Sequence, residues 1–347
     1  MDQALFDRLV DRLKSGALSG RTNLVAGNLE PPGSIPVLPP TGHPERLRLE
    51  EKGKEACRRK QLGAVILAGG MATRFDFDQP KGLFPILDGK SFLQLKLESI
   101  QRDCPAIPIH IMTSFHTDEA IRRNLSEKDY FGIDPEKIRI FRQNRFPRLK
   151  KNEEISLCLD EKGEIDYAAP GHGDFAECLR RNSLLRRFLA EGGKYLLFSN
   201  VDNLGATVDF AIIGWHIESG RPMTVEVAAK APGDKGGAPA RVEGRLRLVE
   251  GFSFPESFDQ EKIEVFNTAS YVFSGEALDR EFDLPWYVVE KQVKEEKILQ
   301  LEHLAGDLSI FLDAGFLLVE REQRFLPVKS LEDVPAVQKI LRRKLAL

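Results

Sequence analysis

Short apolar runs alternate with amphipathic stretches along most of this chain. Residues 62–68 (LGAVILA) are continuously apolar, as in a strand buried on both faces of a parallel sheet. Residues 107–113 (IPIHIMT), 195–199 (YLLFS) and 223–229 read as further strands. Between them, 91–102 (with Leu93, Leu95, Leu97 and Ile100), 118–125, 175–189 and 208–217 read as helices. This alternation predicts an α/β fold, a Rossmann-like open sheet that is mixed but mostly parallel, with helices on both faces. Residues 237–282 are richer in strand patterns and antiparallel in texture.

The two ends of the chain differ from this middle. Phe6, Leu9, Val10 and Leu13 share one face of an amphipathic helix that packs on the rest of the chain. Residues 31–40 (PPGSIPVLPP) hold five of the twenty prolines and form an extended connector to a charged helix ending near Lys60. The last helix, 330–341, carries Glu332 and Asp333 in its first turn and Arg342, Arg343 and Lys344 at its end, complementing the helix dipole. The expected division is an N-terminal helical and proline-rich extension (1–60), a central domain (61–329) and a helical tail (330–347).

Charge and composition narrow the class. The 347 residues include 50 Lys+Arg against 53 Asp+Glu, a net charge of -3, which disfavours a nucleic-acid binder. With 42 % hydrophobic and 30 % charged residues, the chain is not disordered. Apolar runs stay below the roughly 18 residues that span a bilayer, and Asp2, Asp7 and Asp11 interrupt any signal-peptide core. Cys57, Cys104, Cys158 and Cys178 form neither a CxxC nor a zinc-ligand pair. They read as reduced thiols, and the expected setting is the cytoplasm.

Candidate chemistry begins directly after the first strand, at Leu67-Ala68-Gly69-Gly70-Met71-Ala72-Thr73-Arg74, followed by Pro80-Lys81-Gly82. Paired glycines let backbone N–H groups approach a phosphate or a flat base, or simply make a tight turn. Arg74 adds a fork donor for phosphate and Lys81 a mobile point charge. Neither GxxxxGK[ST] nor GxGxxG is present, so this is no P-loop and no dehydrogenase fingerprint. Downstream, Gln143 offers a donor–acceptor pair in its side-chain amide, or is an ordinary loop residue. Gly171 and Gly173 flank His172 before a helix beginning near Asp174, a loop suited to an anion or base, with His172 as contact or packing residue. Asp202 lies at the carboxyl end of a strand, where it is a metal-binding carboxylate or a turn residue. Asn200, Asn203, Glu226 and Asn267 are polar enough to meet sugar hydroxyls or phosphate.

The first loop resembles the L-x-G-G-x-G-T-R…P-K pattern of sugar-nucleotide pyrophosphorylases, with Ala72 where that family usually has Gly. Four later segments resemble the eukaryotic-type UTP–glucose-1-phosphate uridylyltransferases: 141–148 (FRQNRFPR), 170–174 (PGHGD), 200–205 (NVDNLG), and 298–302 (ILQLE) with Ala305-Gly306 and 325–330 (FLPVKS). UDP-N-acetylhexosamine pyrophosphorylases share the first loop but not PGHGD or FLPVK in this form. The resemblance runs over roughly residues 62–340. It implies a GT-A-type nucleotidyltransferase fold and reversible uridylyl transfer from UTP to glucose 1-phosphate, giving UDP-glucose and pyrophosphate. Arg74, Lys81 and Lys329 would neutralise phosphate charge. Leu67, Ala68, Gly69, Gly70, Gln143, Gly171, His172 and Asp202 would hold the nucleotide. Asn200, Asn203, Glu226, Lys235 (in a K-G-G segment) and Asn267 would hold the sugar phosphate, and Asp202 would take Mg2+.

Two alternatives stay open: a UDP-N-acetylglucosamine or broad UDP-sugar pyrophosphorylase, and a non-catalytic UDP-sugar-binding homologue, with Ala72 its first symptom if that position needs positive φ. Neither nucleic acid nor membrane is an expected partner. Eukaryotic relatives carry a C-terminal β-helical domain that mediates assembly. Few residues follow Lys329, so a short form lacking that domain, and a monomer, is expected.

Overall fold

All six positions of Leu62–Leu67 (β1) are buried, and both faces of this strand are apolar. Val65 and Leu67 join one core, with Phe175, Phe198 and Phe273. Ala64 and Ile66 join another on the opposite face, with Phe92, Leu97 and Ile111. That two-sided burial puts β1 inside a seven-stranded sheet in the computed structural model, which describes residues 3–151, 154–231, 234, 236–293 and 296–345. The other strands are β2 (Ile109–Thr113), β3 (Ile138–Arg142), β4 (Tyr195–Asn200), β5 (Met223–Ala229), β6 (Val265–Ser274) and β7 (Ala314–Val319). Their order is β7-β5-β6-β4-β1-β2-β3. β6 runs antiparallel to β4 and β5, and the remaining pairings are parallel. The sheet is the mixed, mostly parallel one that the alternation predicts.

The helices longer than one turn, among the described residues, are α1 (Gln3–Lys14), α2 (Pro44–Arg58), α3 (Phe92–Asp103), α4 (Asp118–Glu127), α5 (Phe175–Arg181), α6 (Leu184–Ala190), α7 (Phe210–Ser219) and α8 (Val334–Leu345). Three expectations are corrected here. The single helix over 175–189 is two, because Ser183 turns at φ 56° and the Asn182 amide donates to the Cys178 carbonyl (2.8 Å), ending α5. The last helix starts at Val334, not 330: the Asp333 carboxylate accepts from the N–H groups of Lys329 (2.7 Å) and Ser330 (2.9 Å) and caps the turn before it. The four cysteines are not all reduced. Cys57 near the end of α2 and Cys104 just after α3 form a disulfide with Cα atoms 6.2 Å apart, while buried Cys158 and Cys178 are free.

The β-rich region folds as expected into antiparallel pairs, Ala238–Val242 with Arg245–Val249, lying beside the main sheet. A four-stranded sheet (Tyr287–Val293, Glu296–Glu302, Leu149–Lys151, Ile155–Leu157) supports the other flank. Phe6, Leu9 and Leu13 of α1 pack there against Phe146, Leu149 and Leu299. Among the described residues no helix is long and apolar enough to cross a membrane.

Candidate active site

The carboxyl ends of β1, β2, β3 and β4 converge on one crevice, the place where an open α/β sheet presents ligand-binding loops. A cavity of about 410 Å3 opens there. Its walls include Leu67, Gly69 and Gly70 from the loop after β1, Gln143 after β3, and Asn200 and Asp202 at the end of β4.

Gln143 is held by its own backbone, whose N–H donates to the Thr113 carbonyl (2.9 Å). Its amide then lies over Gly69, where an added Cβ would stand 2.7 Å from Nε2. The glycine is needed for this close approach. Ala72, by contrast, sits at φ -93°, ψ 37°, fully buried, so alanine fits its place in the loop without strain. Lys81 donates its N–H to the Gly70 carbonyl (3.0 Å), and its ammonium pairs with the Asp202 carboxylate across the crevice. Lys81 also lies 5.3 Å from the Phe75 ring centroid. One cation and one anion, each half-buried, thus neutralise each other at the mouth of the loop.

The Gly171-His172-Gly173 loop closes a third side. Gly171 has φ 90°, and a Cβ there would press into the His303 backbone carbonyl. His172 Nδ1 accepts from the Ala305 N–H (3.0 Å). Burial, with the His303 imidazole nearby, lowers His172 to about 4, so the ring is neutral at physiological pH. With Nδ1 accepting, the proton resides on Nε2, which makes His172 a hydrogen-bond donor on the cavity wall. Gly171→Ala should therefore cost about 1–3 kcal/mol of stability, which denaturant unfolding measures.

Several expected residues lie elsewhere. Asn203 is 3 % exposed and its amide is fully used: Nδ2 donates to the Arg324 carbonyl (3.2 Å) and Oδ1 accepts from the Gly205 and Leu326 N–H groups (3.2 and 3.0 Å). Glu226 is buried in a two-bond ion pair with Arg324 (2.7 Å each). Asn203 fastens the loop after β4, and Glu226 fastens β5, to the segment after β7, and neither lines the cavity. Asn267 Nδ2 donates to the Tyr271 hydroxyl (2.8 Å) and its Oδ1 accepts from the Ala269 N–H (3.0 Å), so its amide is already occupied. Ala68 is buried behind the loop. Arg74 and Lys329 are exposed and do not line the cavity. Lys235 lies outside the described residues.

Four residues given no role by the sequence stand at or behind the site. Gln300 and Glu302 line the cavity from the strand Glu296–Glu302. Lys96, 1 % exposed on α3, donates to the carbonyls of Asn203 (2.9 Å) and Ala206 (2.5 Å), holding the loop that begins with Asp202. Burial pushes this ammonium down to about 7. Glu250 follows the strand Arg245–Val249 and lies against Gly237 and Gly306, the latter one residue beyond the Ala305 that holds His172. Burial raises Glu250 to about 7.

The Glu250 shift has a sign that stability measurements read. Its folded pKa exceeds the ordinary 4.5, so the native state holds this proton more tightly than the unfolded chain. The contribution is complete below about pH 4.5 and is lost as pH rises through about 7. Relative to wild type, Glu250→Gln should become progressively more stable between pH 5 and pH 8, about where the wild-type carboxyl ionises. Paired thermal melts across that range give the difference, and a flat difference would show that Glu250 is not buried as described.

Comparison with known proteins agrees with this architecture. The family model described as UTP–glucose-1-phosphate uridylyltransferase matches residues 35–343. UTP–glucose-1-phosphate uridylyltransferase 2 of Dictyostelium discoideum is 32 % identical over 296 residues, covering 80 % of this chain and 58 % of the relative. A probable UTP–glucose-1-phosphate uridylyltransferase of Schizosaccharomyces pombe is 32 % identical over 299 residues, with the same coverages of 80 % and 58 %. This chain thus spans under two thirds of the length of those relatives. Among solved structures, a UDP-glucose phosphorylase from Trypanosoma brucei superposes with a TM-score of 0.78 at 25 % identity, covering 96 % of this chain and 74 % of that one. The uridine diphosphate N-acetylglucosamine pyrophosphorylase of the same organism gives 0.79 at 24 % identity, covering 91 % and 73 %. The fold is therefore common to proteins named for two different sugars.

Proposed function

The chain belongs to the UTP–glucose-1-phosphate uridylyltransferase family, and from that premise we infer that it transfers a uridylyl group from UTP to glucose 1-phosphate, reversibly, releasing pyrophosphate. The observation that carries the reading is the crevice itself, with Gln143 lying over Gly69 beside the Lys81–Asp202 pair.

We place uracil beside the Gly69-Gly70 backbone with its imide edge on the Gln143 amide, which donates to one imide oxygen and accepts from the imide N–H. Cytosine lacks that N–H, so the same amide rejects it. The sugar phosphate oxygen attacks the α-phosphorus; a new O–P bond forms as the bond to the β-phosphate oxygen breaks. Pyrophosphate leaves with the bonding electron pair. The attacking monoester is already ionised near pH 7, so no side chain is needed as a base. What the protein supplies is position and neutralisation of like charge. Lys81 is placed for the second role at the mouth of the glycine loop, and His172 Nε2 donates from the wall. Exposed Arg74 and Lys329 serve if their long side chains reach the leaving phosphates.

Mg2+ fits the donor set present. Asp202 is a hard carboxylate at the crevice, and among the described residues no cluster of three ligating side chains exists. Magnesium that retains waters and takes phosphate oxygens needs only one such carboxylate. When bound there it would supply charge neutralisation of the triphosphate. Asp202 would hold the ion there, and the Lys81 ammonium would face phosphate.

The test is a grid of UTP, CTP, ATP and GTP against the 1-phosphates of glucose, galactose and N-acetylglucosamine, read by pyrophosphate release. UTP with glucose 1-phosphate should be fastest. A faster rate with N-acetylglucosamine 1-phosphate would reassign the sugar, and a faster rate with another nucleotide would overturn the role given to Gln143.

A further inference from the structure

We propose that a hollow at the end of the sheet opposite the glycine loop binds a small organic phosphate. The central observation is His110 on β2. Its side chain is 4 % exposed, yet neither ring nitrogen has a hydrogen-bond partner among the described residues. An unmet buried polar group costs about 1–3 kcal/mol, so such groups in native proteins generally have a partner supplied from outside the chain. The ring lines a cavity of about 350 Å3, at the small end of ligand-sized hollows. Burial, reinforced by the nearby Arg139 guanidinium, lowers His110 to about 4. The neutral imidazole therefore presents one N–H donor and one acceptor.

The surroundings state what kind of molecule fits. Pro108, Leu184 and Phe188 form an apolar wall, with Phe188 edge-on to His110 at 6.2 Å between centroids. Lys60, Lys137, Arg139 and Arg187 stand on the rim. Against these four cations are two carboxylates, Glu191 at 2.7 Å from Arg187 and Glu136 at 3.4 Å from Arg139. Arg139 lies directly beside His110 in the β2–β3 register. Its other contact, to the Ile138 carbonyl, is also long at 3.4 Å, so its fork is weakly engaged and suited to two phosphate oxygens. A phosphomonoester with a small apolar body uses every part: phosphate on the rim, an oxygen on the His110 N–H, the body on Phe188.

This hollow is separate from the nucleotide crevice. Lys60, Pro108 and Lys137 precede β1, β2 and β3, whereas Gly69 and Gln143 follow the opposite ends of β1 and β3.

Calorimetric titration of the full chain, saturated with UTP, tests the proposal with phenyl phosphate and inorganic phosphate as probes. Phenyl phosphate should bind saturably with a dissociation constant below about 1 mM. Inorganic phosphate should bind more weakly, since it leaves the apolar wall empty. Arg139→Ala and His110→Leu should each weaken phenyl phosphate at least about tenfold. His110→Leu should also melt no lower than wild type, because it removes the unmet polar atoms. Should that variant fail to fold, Arg139→Ala decides. The proposal is overturned by no saturable binding up to about 10 mM, by displacement with UTP, by equal affinity for the two probes, or by unchanged affinity in the variants. None of these outcomes depends on turnover, so the uridylyl-transfer reading stands or falls separately.

Discussion

Lys81→Ala is expected to slow pyrophosphate release by about 10²–10³-fold, the usual loss when one group that stabilises transferring phosphate charge is removed. The residue's backbone N–H donates to the Gly70 carbonyl, and its half-buried ammonium is paired with Asp202 rather than dispersed in solvent. In the proposed reaction two anionic substrates meet beside it, and charge on the departing pyrophosphate grows as the bond breaks. The folding cost should be the lesser effect. At 18 % and 19 % side-chain exposure the pair lies between a surface pair worth about 0–1 kcal/mol and a buried one that costs about 3–5 kcal/mol to break, so a modest drop in melting temperature should accompany a far larger loss of turnover. A variant with near-wild-type turnover would remove Lys81 from the chemistry. One that loses activity only by unfolding would make it a structural residue.

The second large effect is on stability. Glu226 and Arg324 are 3 % and 6 % exposed and are joined by two hydrogen bonds of 2.7 Å. Removing one partner leaves the other charge buried without compensation, which costs about 3–5 kcal/mol. Arg324→Met should therefore lower unfolding free energy by about that amount. Arg324 Nη1 also donates to the Thr207 carbonyl (3.0 Å), in the segment that Lys96 and Asn203 help to fix. The double variant Glu226→Leu with Arg324→Met should recover most of the loss, because an apolar pair of similar volume replaces the ions. Denaturant unfolding of the wild type, both single variants and the double variant gives the coupling energy directly.

Glu226 also shows where sequence reading stops. A carboxylate on a strand beside a sugar-nucleotide motif has the right chemistry for a hexose hydroxyl. What it touches depends on Arg324, 98 residues away in sequence, and no spacing rule relates them. The same is true of Asn203 and Asn267, whose amides are consumed by backbone and hydroxyl partners within the fold. The Cys57–Cys104 disulfide likewise forms because two helix ends 47 residues apart meet.

Other features were legible because they are local. The apolar run at β1 and the glycines after it predict a buried strand feeding a ligand loop, and the structure has both. β3 (IRIFR) was not legible: as an edge strand it is only partly buried, so its pattern is broken by exposed polar residues. Lys96 had left a trace, a lysine inside the apolar LQLKL run of α3, which is where a buried ammonium must show itself. Glu250 had left a weaker one, an acid between an alternating strand and Gly251. The Ala72 departure costs no left-handed strain, because the backbone there has negative φ.

Labelled UTP tests the central claim most directly. With glucose 1-phosphate present, label on the α-phosphorus should appear in UDP-glucose and label on the γ-phosphorus in pyrophosphate. Label from the γ-position in the sugar product, or no labelled UDP-glucose while UTP and glucose 1-phosphate are both in excess, would contradict uridylyl transfer at this crevice.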